Sequence, residues 1–173
     1  MKASILAIGT ELVQGEVVNS NAAWVAEQLQ ALGLSVQLHL TVSDDEKDIL
    51  WGLDICQKQS NIVILMGGLG PTTDDITRYV LAKYVAVEME FDETYHQELV
   101  ARYKKMGREL KPSHRSQSEY PMGARVFAND IGTAKGFRVE NSAKHFVSLP
   151  GPPSELKSVW SNGVERFIKS IVA

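Results

Sequence analysis

The sequence holds a single cysteine, Cys56, in 173 residues, so no disulfide can form within the chain and a reducing compartment is implied. Long apolar runs are also missing. The run before Gly9 is too short for a signal peptide, and the longest later one, residues 62–66, falls far below the roughly 20 residues that span a bilayer. There is no surplus of positive charge. Lys and Arg total 18 against 21 Asp and Glu, net −3, which gives no general attraction to phosphate backbones and argues against a nucleic-acid partner. Repeats, low-complexity tracts and linker-like stretches are absent. With 44% hydrophobic and 23% charged residues, the composition excludes disordered and fibrous classes. The expectation is one cytoplasmic domain over residues 1–173, large enough for a packed core.

Apolar periodicity then assigns elements. Residues 4–8 read as a buried strand running into Gly9-Thr10-Glu11. Asn19-Ser20-Asn21 supply caps for a helix with Ala22, Val25, Leu29 and Leu32 on one stripe, and Gly33 suits its left-handed end. Residues 34–42 alternate as a second strand, and Asp44 or Asp45 caps a helix with Ile49, Leu53 and Cys56 inward. Residues 62–66 are apolar without alternation, as in a strand covered on both faces, and Ile76, Val80 and Tyr84 mark a third helix. Strands alternating with helices predict an α/β fold with a parallel sheet and helices on both faces. Further on, 92–106 reads as a helix and 111–120 as a loop or short helix. Short strands follow at 125–128, 136–139 and 145–149. Pro150-Gly151-Pro152-Pro153 opens one last helix carrying Leu156, Trp160, Val164, Phe167 and Ile171.

Ligands of open parallel sheets bind beyond the carboxyl ends of the strands, which gives weight to loops 9–19, 43–45 and 67–75. The last of these holds Gly67-Gly68-Leu69-Gly70-Pro71-Thr72-Thr73-Asp74-Asp75. Glycines between a buried strand and a helix let N–H groups turn toward an anion, with the helix N-terminus behind them. They equally serve a tight turn in which Thr73 or Asp74 caps the helix. The loop is neither a P-loop nor a dinucleotide fingerprint. Asp74 and Asp75 would repel a phosphate bound there unless a divalent cation lay between them. Asp44 is placed to join them, since two carboxylates plus substrate phosphate make a minimal magnesium site. Asp44 and Asp74 also fit as helix caps, whereas Asp75 does not. Thr10, Glu11, Asn19 and Asn21 surround the first loop. Gly132-Thr133-Ala134-Lys135-Gly136 joins two short strands, with Lys135 a phosphate contact or simply part of a turn. Cys56 reads as packing; His39, His96, His114 and His145 lack metal-ligand spacing; Ser148 sits in no nucleophile elbow.

Taken together, Gly9-Thr10-Glu11, Gly15, Asn19-Ser20-Asn21, Val42-Ser43-Asp44, the 67–75 loop, Gly132–Gly136 and Leu149-Pro150-Gly151-Pro152-Pro153-Ser154-Glu155 resemble a family. It is the N-terminal domain of competence/damage-inducible protein A (CinA), within the wider molybdopterin-binding superfamily. The match runs in order from about residue 4 to residue 160. It implies a three-layer α/β/α fold with a mainly parallel sheet and a cleft at the edge already picked out. For CinA-like domains it implies a metal-dependent pyrophosphatase, of Mg or Co type, that splits ADP-ribose into AMP and ribose 5-phosphate. For the wider superfamily it implies binding or adenylylation of molybdopterin, and a non-catalytic nucleotide-binding module is a third alternative.

By position, the resemblance makes Asp75 and Asp44 the catalytic, metal-holding carboxylates. It makes Gly67, Gly68 and Gly70, with Thr72 and Asp74, the phosphate cradle. Pro150, Gly151 and Pro153 form the loop closing the cleft. Gly132, Thr133, Lys135 and Gly136, with Arg115, would meet phosphate charge, and Thr10, Glu11, Asn19 and Asn21 sugar or base. Gly-Gly-Leu-Gly-Pro-Thr-x-Asp-Asp is the CinA-type variant, where adenylyltransferases show Gly-Gly-Thr-Gly. Departures are Lys135 for the family's proline, Pro152 for valine, and His114-Arg115-Ser116-Gln117-Ser118 where relatives carry Asn-Arg and Gln-Ala. The family also implies self-association as a dimer or trimer. In CinA proteins a nicotinamide-mononucleotide deamidase domain usually follows, an activity these residues do not carry.

Overall fold

A strand covered on both faces has no polar side to alternate with, and β1 (Lys2–Ile8) and β3 (Ile62–Met66) are built that way, buried from Ala3 to Ile8 and throughout 62–66. The chain is seen here as a computed structural model that describes residues 1–172. β1 pairs in parallel with β2 (Ser35–Val42) on one side and with β3 on the other, and β3 pairs in parallel with β8 (Lys144–Leu149). β7 (Gly136–Asn141) and β6 (Arg125–Phe127) continue the sheet antiparallel, giving the order β2-β1-β3-β8-β7-β6. β2 lies at the edge and is therefore the strand that alternates, with Val36, Leu38 and Leu40 half-buried against exposed Gln37, His39 and Thr41.

Two apolar layers sandwich the sheet. Ile5, Ile64 and Val147 face α2 (Ser20–Ala31), α6 (Pro153–Val159) and α7 (Glu165–Val172) through Val25, Leu29, Leu156 and Ile168. Leu6, Val63 and Phe146 face α3 (Glu46–Gln59) and α4 (Thr77–Val85) through Ile49, Leu53 and Leu81. Each such side chain contributes about 2 kcal/mol by leaving water, which is what the two stripes provide. Cys56 is packed in the second layer, where burial pushes its thiol up to about 12. The three-layer α/β/α architecture is thus as the sequence implied. No helix among the described residues is long and apolar enough to cross a membrane.

Three elements escape the periodicity. A single-turn helix, α1 (Thr10–Val13), follows β1 directly, too short to show a stripe. Residues 89–121 form a small unit in which β4 (Met89–Phe91) pairs antiparallel with β5 (Glu119–Pro121). α5 (Glu93–Lys105) and a 3-10 helix (Pro112–Ser118) lie between those strands. Three-residue strands carry too few positions to reveal a period. The last helix is not continuous either. α6 passes into a π-helical turn (Trp160–Val164) before α7, and at Gly163 any Cβ would lie 2.6 Å from the Phe127 ring. The spacing survives the break because both halves still press onto the same sheet face.

Ser142 and Ala143 form the β7–β8 hairpin turn with φ of 50° and 61°, and Ala86 ends α4 at φ 57°. Left-handed backbone costs a residue with a Cβ about 1 kcal/mol, so Ala143→Gly is expected to raise stability by about that amount. Calorimetry would read a melting point some 2–4 °C higher; an unchanged or lower one would contradict this account of the turn.

Candidate functional site

The strand order reverses between β1 and β3, since the chain leaves β1 for one neighbour and later returns to the other side. Such a switch point splays the following loops apart. A cleft of about 600 Å3 opens there, between the loop after β1, the glycine loop after β3 and residues 150–153 after β8.

The glycine loop is held from below. Gly67 N–H donates to Leu149 O at 3.0 Å, and Thr77 Oγ1 donates to Gly67 O at 2.8 Å. Gly67 and Gly68 take φ of 103° and 68°, and a side chain on Gly67 would run into the Ile8 carbonyl at the end of β1. That turn leaves the N–H groups of Gly68, Leu69 and Gly70 without a protein partner among the described residues. The first N–H of α4 is spent within the loop, Thr77 N donating to Gly68 O at 3.2 Å. The loop's own N–H groups are therefore the main donors of any anion cradle, with the first N–H of α4 taken out of it.

The two aspartates are clasped alike. Asp44 Oδ2 accepts from Thr10 N at 2.8 Å and Thr10 Oγ1 at 3.0 Å. Asp75 Oδ2 accepts from Thr72 N at 2.9 Å and Thr72 Oγ1 at 2.6 Å. In each case a threonine fixes one oxygen, and the other, Oδ1, has no hydrogen bond among the described residues. Neither aspartate caps a helix. Asp45 caps α3 by accepting from Lys47 N at 2.8 Å, and Ile76 holds the cap position of α4 with no side-chain cap, which leaves Asp74 free of that role too.

The cleft is acidic. Glu11, Asp44, Asp74, Asp75 and Glu155 line it, and among the described residues no Lys, Arg or His does. Among the described residues no cluster of three or more His, Cys, Asp or Glu is close enough to hold a metal ion by itself. The donor set nonetheless fits a hard divalent cation of Mg or Co type. Asp44 and Asp75 each keep one oxygen free in the same cleft, and a divalent cation there would draw on such carboxylate oxygens together with ligand phosphate oxygens and water, which is how magnesium is commonly held.

Comparison with known proteins now bears on this geometry. Residues 4–170 match the family model described as a probable molybdopterin binding domain. The chain belongs to the molybdopterin-binding domain family. Within it the likeness is to the CinA type. A competence-damage inducible protein of Bacillus cereus strain AH187 is 36% identical over 170 residues, covering 98% of this chain and 41% of the relative. The chain thus spans under half the length of such relatives. The solved structure of the protein CinA of Thermoplasma acidophilum, a protein of unknown function, superposes with a TM-score of 0.86 at 32% identity, covering 96% of this chain and 97% of that one. MoaB of Pyrococcus furiosus, a tungsten cofactor synthesizing protein, shares the fold at a TM-score of 0.61 and 18% identity, with 99% and 97% covered.

In this CinA-like domain the cleft gathers Glu11, Asn19, Asn21, Asp44, Gly67, Gly68, Gly70, Thr72, Asp74, Asp75, Thr133, Pro150, Gly151 and Pro153. Asn19 Oδ1 accepts from Ala22 N at 3.1 Å as the cap of α2, and Asn21 Nδ2 donates to Gly151 O at 2.7 Å, tying α2 to the closing loop. Thr10 acts through Asp44 and does not itself line the cleft.

Four expectations are corrected. Lys135 points away, its Nζ 3.5 Å over the Tyr95 ring and 3.9 Å from Glu98, and burial lowers its pKa. Arg115 lies 3.8 Å over the Phe91 ring with Nε 3.5 Å from Glu119, outside the cleft. Gly132 is needed for packing against Glu155, and Gly136 for packing against Val159, and neither lines the cleft. For Lys135 the cause is α5, which takes the 131–135 turn as its own partner. Tyr95 donates to Thr133 O at 2.6 Å and Arg102 to Gly132 O at 3.0 Å, which ties the turn to α5 and draws Lys135 to Tyr95 and Glu98, while Thr133 and Ala134 still line the cleft.

Three residues were not foreseen. Arg78 is fully buried beneath the glycine loop, donating to Leu69 O at 2.6 Å and to Ser116 O, with Nε unpartnered. Burial lowers its pKa, against the opposing pull of Tyr120, Tyr79 and Asp75. Gln117 lines the cleft, 1% exposed, with Oε1 unpartnered. Glu155 is braced by Asn129 Nδ2 at 2.7 Å. A lone charge on the inward side of α4 was the only available signal for Arg78.

Proposed function

We propose that the cleft binds a nucleotide joined through a pyrophosphate and hydrolyses it, with ADP-ribose as substrate and AMP and ribose 5-phosphate as products. The observation that carries this reading is the pair of threonine-clasped carboxylates, Asp44 and Asp75, in a cleft whose other asset is a row of free N–H groups. Gly68, Leu69 and Gly70 offer donors to phosphate oxygens, where charge develops as the bridging oxygen departs. Five carboxylates would repel that substrate, and no side-chain cation offsets them, so a divalent ion on Asp44 and Asp75 is part of the proposal. The ion supplies charge neutralisation and a more acidic water. Water's oxygen ends on one phosphorus, the bridging oxygen leaves with the other phosphate, and the protons pass to solvent. Thr10 and Thr72 hold the carboxylates in place, and Asn21 keeps the 150–153 loop over the substrate.

The experiment is AMP release from ADP-ribose by the purified chain with magnesium, with cobalt and with chelator. Release that needs the metal is the expected result. No release under any condition would sink the reading. Binding of molybdopterin, to which the family description points, or its adenylylation would then gain if the chain bound a molybdopterin and, for the latter, consumed ATP. Tight ADP-ribose binding without hydrolysis would identify a non-catalytic module. Self-association as a dimer or trimer belongs to the same proposal, and light scattering on the assayed sample tests it.

A further inference from the structure

A second cavity, of about 390 Å3, shares no lining residue with the cleft. β6, β7, the start of β8, the π-helical turn and α7 enclose it. His145 stands opposite Ile62, the first residue of β3, so the cavity lies toward the amino end of the parallel strands, away from the edge that carries the cleft. It is also where the last helix breaks: Gly163 forms part of the wall, and its lack of a side chain is what lets the turn sit against Phe127.

The cavity concentrates positive charge on a chain whose net charge is −3. Arg125, Arg138 and Arg166 all line it. Arg125 and Arg138 are direct cross-strand partners in the β6–β7 register, an arrangement of like charges that weakens strand pairing. Glu140 is the one carboxylate in the wall, and it does not resolve the conflict. It is half-exposed, 3.8 Å from Arg138 Nη1 and 3.6 Å from His145 Nδ1, too far for a hydrogen bond to either. Arg138 Nε is buried without a partner, and among the described residues Arg125 and Arg166 make no ion pair. The Arg138 guanidinium lies 4.3 Å over the Phe167 ring, a cation–π contact that holds it at the cavity wall.

Charge decides the class of ligand. Burial lowers the pKa of His145, which is therefore counted as neutral, and three guanidinium charges less one carboxylate leave two to be balanced. A phosphomonoester carries about −1.5 to −2 at neutral pH and matches this, where a monocarboxylate would cover half. Phe127, Phe167 and Ile171 add an apolar wall beside the arginines. We infer that this cavity is a second binding site, for a small organic phosphate, with the phosphate on Arg125, Arg138 and Arg166 and the organic group against Phe127 and Phe167. It stands independently of the chemistry proposed for the cleft.

The test is an NMR titration of the isotope-labelled chain with phenyl phosphate, inorganic phosphate and benzoate. It follows the arginine Nε–Hε signals, the Gly163 amide and the amides of Gly68 and Gly70. Saturable shifts at Arg138 and Gly163 are expected, with millimolar affinity or better. Phenyl phosphate should bind about fivefold tighter than inorganic phosphate because its ring is buried. Arg166→Gln, a change at an exposed position, should weaken binding about tenfold and leave AMP release as it was. Arg138→Lys, which keeps the charge and loses the planar fork, should weaken it less than Arg138→Gln. Four outcomes would overturn the inference: no saturable shift, shifts confined to Gly68 and Gly70, unchanged affinity in Arg166→Gln, or benzoate binding as tightly as phenyl phosphate. Signals from the two cavities are separate and AMP release is assayed apart, so failure here and failure of the pyrophosphatase reading are told apart.

Discussion

Asp75→Asn is expected to cut metal-dependent AMP release by at least about 100-fold while leaving the fold intact, because loss of a supporting group around a metal already costs 10–100-fold and this change removes a proposed ligand. The two halves of that expectation come from the two oxygens. An asparagine Oδ1 can still accept from Thr72 N and Thr72 Oγ1, the bonds that Asp75 Oδ2 now receives, so the glycine loop keeps its clasp. What disappears is the negative charge on the second, free oxygen. Asp75→Ala removes both, and it should lower the melting point as well as the turnover. Full turnover in Asp75→Asn would show that this carboxylate only fastens the loop, and the proposed mechanism would fall with it. Asp44→Asn is the matching control at Thr10, with the same loss of charge and the same retained clasp.

Arg78→Met should destabilise the chain by about 3 kcal/mol, the cost of leaving buried acceptors of a charged donor unmade. For a chain of this size that is a fall in melting point of about 6–12 °C. Removing a buried charge works in the opposite direction and can even stabilise a protein when apolar atoms fill the space. Two observations decide the sign here. The guanidinium donates to carbonyls on two different segments, Leu69 in the glycine loop and Ser116 in the 3-10 helix, and one methionine can replace neither bond. The site also fixes Gln117, the next residue after Ser116, at the cleft wall. Turnover should therefore fall together with stability. Arg78→Lys, which keeps the charge and loses the two-segment reach, should recover only part of each. A variant melting as the parent does would mean that the two segments hold together without the arginine.

The regular part of the fold was written in periodicity. β1 and β3 showed as uninterrupted apolar runs because both their faces are covered, and α2 and α3 as stripes because only one face is. The glycine loop and the acidic residues after β3 were legible for the same reason: a buried strand must end in a turn, and residues at its carboxyl end face a ligand edge in any parallel sheet. The resemblance to CinA-like domains added order along the chain, and the comparisons place the chain in that family.

What lay outside the sequence's reach was every assignment that depended on two distant segments meeting. Either Asp44 or Asp45 could cap α3 on local grounds. Asp45 does so because Thr10, across the strand pair, holds Asp44 by both N–H and hydroxyl. Lys135 read as a phosphate contact from its loop alone, yet α5 supplies Tyr95 and Glu98 and draws it off. The arginines at 125, 138 and 166 are scattered in sequence and meet only because an antiparallel pair and a broken helix enclose one cavity. Local patterning is read from nearest neighbours along the chain, where periods of two and 3.6 residues dominate. The direction a loop side chain takes is settled by hydrogen bonds and packing with segments far away in sequence, and those exist only once the sheet order has brought them together.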